Sequence, residues 1–181
     1  MFMTIGIVLG VVLLALAVAI MTRPPSFRVE RSATIAAPAE VVYGYVNDFH
    51  EWTQWSPWEK LDPNLKRTFS GPPSGTGAVY RWVGNSKAGE GMMTIKESKP
   101  NQRIAIDLQF LKPFKARNLT EFTFRPEAGG VNLNWAMSGE NTFMTKAMTL
   151  VASMDKMVGK DFEKGLANLK SVAESDAKQR V

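Results

Sequence analysis

Hydrophobic residues dominate the first 22 positions of the chain. No side chain before Arg23 is charged, and the stretch from Ile5 to Met21 is almost entirely apolar. A helix of about 20 such residues spans the hydrocarbon core of a bilayer, which is about 30 Å thick. The pattern therefore predicts a transmembrane anchor at 1–22, followed by a linker at 23–26 in which the prolines favour extended backbone.

A cleaved secretory signal is the alternative for this segment, since Ala-Val-Ala at 17–19 matches a cleavage pattern. However, no Lys or Arg precedes the apolar run, and the run is longer than the about 7 to 15 residues of a typical signal core. We therefore expect a single-pass membrane protein. Arg23, Arg28 and Arg31 follow the span and favour a cytoplasmic location for the remaining chain.

Apolar and polar residues alternate along 27–35, which is typical of a strand with one buried face. Pro38 then lies near the first turn of a predicted short helix. From Leu65 to Met137, short runs of strand composition are separated by turns that contain Gly or Pro. These runs predict an antiparallel meander of about six strands.

An apolar stripe with spacings of three and four predicts one long C-terminal helix. Its members are Ala147, Val151, Met154, Val158, Phe162, Leu166, Leu169 and Ala173. Gly159 and Gly165 lie within it, where each costs about 1 kcal/mol relative to Ala, so we expect them to permit close approach to the sheet or a kink. A folded domain is predicted at 27–175, with a disordered tail at 176–181.

The order of these elements predicts an α+β fold in which an antiparallel sheet wraps around the long C-terminal helix. The amino-acid composition excludes several kinds of bonds and metal sites. The absence of Cys and the single His exclude disulfides, thiolate zinc sites and metal sites with two His ligands. The net charge of +5 comes without a basic run or stripe, so nucleic acid is not an expected partner. Neither a metal nor a cofactor is expected.

Three segments carry a resemblance to a known superfamily. They are Phe27–Ser32 with Ile35–Pro38, the Trp-rich segment Asp48–Trp58, and Gly159–Lys170. Over residues 27–174 the chain resembles the SRPBCC superfamily of START-like helix-grip proteins, which includes polyketide cyclases and lipid-transfer domains. The resemblance implies a deep cavity between the sheet and the C-terminal helix that takes up a hydrophobic small molecule or a lipid.

Aromatic and Met side chains are suited to such a cavity, because they adapt to irregular apolar ligands. The predicted ligand-binding residues are Trp52, Trp55, Trp58, Tyr80, Trp82, Trp135, Met144, Met148 and Val151. A packed core is the alternative for the Met residues, since Met also fills ordinary gaps. The Trp cluster at 52–58 has its own alternative, as a packing lid over the end of the sheet.

Candidate acid/base groups are few. His50 lies close to Asp48 and Glu51 in the sequence and is expected at the surface. Asp107 is either solvated or a lone polar group in the cavity, and Tyr80 is able to offer its hydroxyl to a ligand oxygen. No catalytic residue is predicted, because these groups form no recognisable constellation.

Three functions follow as hypotheses. The first is a membrane-anchored domain that binds a lipid or another hydrophobic molecule without transforming it. The second is an enzyme of the cyclase or dehydratase type, in which Tyr80, Asp107 or His50 moves a proton. The third is a co-chaperone-like interaction module in which an exposed Trp cluster anchors a protein partner of unknown identity.

Overall fold

The computed structural model describes residues 2–150 and 152–180. Helix α1 (Phe2–Met21) is followed by strand β1 (Ser26–Ile35), helices α2 (Ala39–Asn47) and α3 (Trp52–Trp55), and a 3-10 turn (Pro57–Lys60). Six strands come next: β2 (Lys66–Ser70), β3 (Val79–Val83), β4 (Glu90–Lys99), β5 (Arg103–Lys112), β6 (Ala116–Glu127) and β7 (Gly130–Glu140). Helices α4 (Phe143–Met148) and α5 (Met154–Gln179) complete the chain.

The seven strands form one antiparallel sheet in the order β1-β7-β6-β5-β4-β3-β2. This arrangement confirms the predicted α+β fold, including the meander of six strands after the first helices. Strand β1 begins at Ser26, directly after the linker, and pairs with β7 so that Ser26 lies opposite Glu140. We call the end of the sheet at which Ser26 and Glu140 lie the α1 end, and the end at which the β6–β7 turn lies the far end.

The two faces of the sheet differ in polarity. The inner face carries the alternating apolar residues, such as Ile104 and Ile106, and both of these are fully buried. Helix α5 packs on β1 and contacts α2 and α3. Its buried residues include Phe162, Leu166 and Leu169. The core therefore lies between the inner face and the helices, as expected for a sheet that curls around one amphipathic helix.

Two glycines in α5 permit close packing against the sheet, as the sequence predicted. A Cβ at Gly165 would lie 2.8 Å from the ring of Trp135, and a Cβ at Gly159 would overlap the guanidinium of Arg31. Arg31 crosses α5 at this point and donates hydrogen bonds to Asp155 and Glu163, each at 2.7 Å. The bare backbone at Gly159 thus lets one arginine bridge two turns of the helix.

The predicted single C-terminal helix is wrong in its first part. Ala147 belongs to α4, which ends at Met148, and α5 begins at Met154. The physical reason is an N-cap: the Ser153 side chain accepts a hydrogen bond from the backbone N–H of Lys156 and begins a new helix. Val151 lies outside the described residues.

The predicted disordered tail at 176–181 is also wrong for its first four residues. Helix α5 continues to Gln179. The side chain of Arg180 donates to both carboxylate oxygens of Asp176, each at 2.8 Å. This pair, one helical turn apart, supports the last turn of α5.

Helix α1 stands apart from the core. Its residues 3–18 are exposed. The span Met3–Met21 has a mean hydropathy of 2.8 and is long and apolar enough to cross a membrane. By length and composition it suits either a membrane anchor or a signal sequence.

Replacing Gly165 with Ala tests the close approach of α5. The new methyl group must displace the Trp135 ring, which is 2% exposed and has little room to move. We expect Gly165→Ala to lower the free energy of unfolding by about 1–3 kcal/mol, the usual range for overpacking. Urea unfolding of the full chain followed by Trp fluorescence measures the change.

Gly44→Ala is the matched control, because Gly44 lies in helix α2 and a Cβ there meets nothing within 4 Å. This variant should raise stability by about 0.5–1 kcal/mol through helix propensity alone. Equal stabilisation by both substitutions would contradict the packing assigned to Gly165.

Candidate functional site

The Trp-rich segment folds beneath the sheet. Helix α3 and the 3-10 turn bury Trp52 and Trp55, which are 3% and 1% exposed, while Trp58 is half-buried. The indole N–H of Trp52 donates to the carbonyl of Val46 at 3.0 Å, and that of Trp55 to the carbonyl of Tyr45 at 3.1 Å. The exposed Trp anchor expected for a co-chaperone-like module is therefore wrong for Trp52 and Trp55.

Trp135 is the centre of an aromatic cluster that joins sheet to helix. Its ring stacks on Phe122 of β6 at 5.0 Å and on Phe162 of α5 at 4.2 Å. Trp55 and Trp58 meet the same ring edge-on, each at 5.6 Å. Such offset and edge-to-face pairs are the favoured aromatic geometries. The structure thus brings Trp52, Trp55, Trp58 and Trp135 together as part of the packed core.

Two polar atoms in this interior lack partners. Trp135 Nε1 and Thr120 Oγ1 are buried, and neither makes a hydrogen bond within the described residues. Most buried polar groups in folded proteins have a partner, so these two atoms form an unusual pair. They lie on the inner face, where Thr120 pairs with Met137 and Phe122 pairs with Trp135 in neighbouring register positions. Both side chains are enclosed in the core, where Trp135 is 2% and Thr120 is 3% exposed.

Tyr80 belongs to a buried polar network instead of facing a ligand. Its hydroxyl donates to the carboxylate of Glu59 at 2.6 Å, and Arg67 donates to the same carboxylate at 2.6 Å. Arg67 also bonds the backbone carbonyls of Glu59 and Leu65, both at 3.1 Å. Burial, together with the Glu59 carboxylate, raises the pKa of the Tyr80 phenol. Tyr80 thus stays protonated and ties β3 to the 3-10 turn.

The three candidate acid/base groups are not brought together. His50 is half exposed, contacts the Asp48 carboxylate through Nδ1 at 2.7 Å and stacks on Phe69. Asp107 lies on the outer face, where Arg117 donates two hydrogen bonds to it at 2.7 and 3.0 Å. The Arg117 guanidinium lowers the pKa of Asp107. Each group has its own partner on a different part of the domain, so they form no catalytic constellation.

An open groove of about 1050 Å³ lies at the α1 end of the sheet. Residues from the ends of β1, β5, β6 and β7 line it, mostly from the outer face of the sheet, and most of its surface is apolar. The lining includes Phe27, Phe110, Leu111, Ala116, Asn118, Leu119, Arg28, Asp107, Lys115 and Arg117. None of the eight predicted ligand-binding residues that the structure describes is among them.

Trp82 lies closest to this groove among the predicted residues, because its ring meets Phe110 edge-on at 5.9 Å. It packs over Gly91, where a Cβ would overlap the indole, and donates to the carbonyl of Ala88 at 3.0 Å. Met144 and Met148 lie on α4 and are 42% and 40% exposed. They are therefore surface residues, and the placement on the long helix that the sequence indicated is wrong for both.

The polar floor of the groove was missed by sequence reasoning. Asn118 is 7% exposed on the inner face of β6, and its amide fits against Gly139, which has no side chain to block it. The amide N–H approaches the sulfur of Met137 at 3.8 Å. The signal for this residue was available, since Asn118 and Thr120 place polar groups at two consecutive inward positions of a strand.

The fold and the groove define an α+β helix-grip domain with an apolar recess at one end. A family model described as polyketide cyclase / dehydrase and lipid transport matches residues 26–174. The chain therefore belongs to this family, and the resemblance noted in the sequence is confirmed. No curated protein sequence matches the chain.

Solved structures share the fold at low sequence identity. SA2116 from Staphylococcus aureus, a protein of unknown function, is 16% identical, with 84% of this chain and 96% of that one aligned at a TM-score of 0.63. The di-domain ARO/CYC protein StfQ from the steffimycin biosynthetic pathway is 14% identical over 84% and 52%, with a TM-score of 0.62. The Aha1 dimer from Colwellia psychrerythraea is 13% identical over 82% and 96%, with a TM-score of 0.58.

Substitution of Tyr80 with Phe tests the buried network. Loss of one donor to a buried carboxylate should lower the free energy of unfolding by about 1–3 kcal/mol near neutral pH. The pKa of Tyr80 is raised in the folded state, so its contribution is complete below the unfolded value of about 10 and declines at higher pH.

Wild-type stability should therefore fall more steeply than that of Tyr80→Phe between about pH 9 and about pH 11.5. Urea unfolding of both proteins across this range measures the two slopes. Parallel decline of the wild type and the variant would show that Tyr80 ionises as freely in the folded chain as in the unfolded one.

Proposed function

We propose that this protein is a membrane-anchored domain that binds a hydrophobic small molecule or a lipid without transforming it. One observation carries the proposal: the groove opens at the same end of the sheet to which α1 is joined. Ser26 and Phe27 line the groove and follow the last residue of α1, Met21, by a few positions. A bilayer that holds α1 therefore lies beside the mouth of the groove.

The lining of the groove supports an amphipathic ligand. Phe27, Phe110 and Leu111 supply apolar surface, and the volume of about 1050 Å³ is close to the upper range of small-molecule sites. Lys115 also lines the groove and offers positive charge to a polar headgroup, whereas Arg28 is paired with Glu30 at 2.9 Å. A ligand with an apolar body and a polar or anionic end fits this distribution.

The predicted aromatic residues lie outside this proposed site. The groove lining is mostly on the outer face of the sheet, whereas Trp135 and Thr120 are enclosed on the inner face. Trp82 reaches the groove only indirectly, through its contact with Phe110.

Binding is favoured over cyclase-type proton transfer. Asp107 is the carboxylate in the groove closest to the apolar lining of β5, and the Arg117 guanidinium holds its pKa below the usual range. A carboxylate stabilised in its ionised form is a weak base at neutral pH, where a general base works best with a pKa near the working pH. The groove therefore suits recognition better than acid/base chemistry.

The interpretation of α1 as a membrane anchor rests on its length and on the charged residues that follow it. The span has no charged residue, and Arg23 comes directly after it. By the positive-inside rule, the domain would lie on the cytoplasmic side.

Native mass spectrometry of the full chain, extracted gently in detergent from its host, tests the binding proposal. We expect a co-purifying apolar molecule on the wild type. Ala116→Trp should remove it, because Ala116 lines the groove and an indole there would fill the space. Ala128→Trp is the matched control, since Ala128 is exposed in the β6–β7 turn at the far end.

Equal occupancy in the two Trp variants would contradict the assignment of the ligand to the groove. An empty wild-type chain, in which host lipid extract added back before analysis also fails to bind, would contradict the binding function itself. Far-UV circular dichroism of both variants checks that each retains its fold.

A further inference from the structure

The domain carries a second apolar surface, and we propose that it docks on the bilayer that holds α1, with a preference for anionic lipids. This docking surface consists of the β5–β6 hairpin tip at 113–115 and helix α4, Phe143–Met148. The inference rests on the proposed anchoring of α1 and adds a fixed orientation of the domain on the membrane. It needs no ligand in the groove.

Exposed apolar side chains are concentrated at one end of the domain. Outside α1, the large exposed hydrophobic residues among those described are Leu61, Val83, Phe114, Leu119, Phe143, Met144, Met148 and Met157. They lie in or near strand ends and turns at the α1 end, in helix α4, or in the first turn of α5. The turns at the far end, such as 71–78 and 127–130, contribute none of these residues. A concentration of this kind marks an interaction surface, whereas single exposed hydrophobic residues do not.

Phe114 and Phe143 are the most exposed members, at 53% and 65%. Phe114 lies at the hairpin tip, and Phe143 is the first residue of α4. The hydrophobic effect penalises two such rings in water, and each would gain free energy on entering an apolar medium. Phe143 belongs to the helix that contacts α1, and Phe114 lies at the same end of the sheet.

Contact between α4 and α1 fixes the depth of this surface. The two helices touch, and Ala19 and Ile20 are partly buried, although residues 3–18 of α1 are exposed. These two residues form the last turns of the span, which would end at the boundary between the hydrocarbon core and the headgroups. Helix α4 therefore sits at the level of that boundary.

The linker holds this arrangement. Asn141 lies just before Thr142, the N-cap of α4, and its backbone N–H donates to the carbonyl of Pro25 at 2.7 Å. Its side-chain amide donates to the carbonyl of Pro24 at 3.0 Å. Two hydrogen bonds thus tie the exit of α1 to the start of α4, so the domain cannot swing freely about the prolines.

Positive charge accompanies the apolar residues. Lys115 stands next to Phe114, and Lys146 lies on α4 between Met144 and Met148. Within residues 2–150 and 152–180, neither lysine has a carboxylate within ion-pair distance. Apolar residues flanked by lysine are typical of segments that lie in the interface of anionic membranes. This charge, together with the α1 contact, favours a lipid surface over a protein partner.

Site-directed spin labelling tests the docking surface in the full chain. The absence of Cys means that one engineered Cys gives one label. Labels are placed through Phe114→Cys, Met148→Cys, Leu13→Cys and Ala128→Cys, all at exposed positions. The protein is reconstituted in phosphatidylcholine vesicles with about one-third phosphatidylglycerol. Relaxation by oxygen reports the bilayer, and relaxation by a water-soluble nickel chelate reports water.

We expect labels at 114 and 148 to be relaxed by oxygen and protected from nickel, as at 13 inside the anchor. The label at 128 is the aqueous control, because the length of β6 separates it from the hairpin tip by roughly 35 Å. If the label at 13 is relaxed by oxygen but the labels at 114 and 148 are relaxed by nickel, α1 is a membrane anchor and the proposed docking surface is wrong.

Nickel access at all four positions would overturn both the anchor and the docking surface. Protection of 114 and 148 from both reagents would indicate that protein covers them, a second copy or another chain, and would also overturn the proposal. The charge preference has its own test. The labels should lie less deep in pure phosphatidylcholine, and the double variant Lys115→Gln, Lys146→Gln should lose this difference between lipids.

Discussion

The stack of Phe122, Trp135 and Phe162 is the interaction on which the rest of the domain depends. It is the place where the sheet and helix α5 meet ring to ring, at centroid distances of 5.0 and 4.2 Å. Gly165 lets the helix come this close, and Trp55 and Trp58 close the cluster from the side. Once this stack is in place, the position of α5 fixes which part of the inner face is filled.

The fold was predictable because it depends on periodicity. The local signals are the alternation of apolar and polar residues along β1, β5 and β7 and the spacing of Phe162, Leu166 and Leu169. The structure contains the strands and the helix that these signals predict. The break before α5 was predictable only in principle, since a single cap at Ser153 overrides an apolar pattern that continues across it. The helical end at 176–179 is supported by the pair of Asp176 with Arg180 and by Ala177, the one apolar residue of the segment that packs against the core.

The candidate site was less predictable than the fold, for a physical reason. The groove forms where the ends of β1, β5, β6 and β7 meet, and these residues are distant along the chain. Composition identified aromatic residues as suited to a ligand, yet the same rings also suit a core, and Trp52 and Trp55 are buried there. Tyr80 was predicted to offer its hydroxyl to a ligand, and its hydroxyl instead donates to Glu59. Its partner Glu59, 21 residues earlier, carried no sequence signal, because the contact exists only when the 3-10 turn packs on β3.

The short linker after α1 has a consequence for how far this protein can travel. Five peptide steps separate Met21 from Ser26, so the connection reaches about 18 Å at most when fully extended. With α1 in a bilayer, the domain stays at one membrane and cannot carry a ligand across a gap wider than the domain itself. A ligand of this domain would then arrive and leave by lateral diffusion within that membrane, or a second membrane would have to approach to within the height of a single domain.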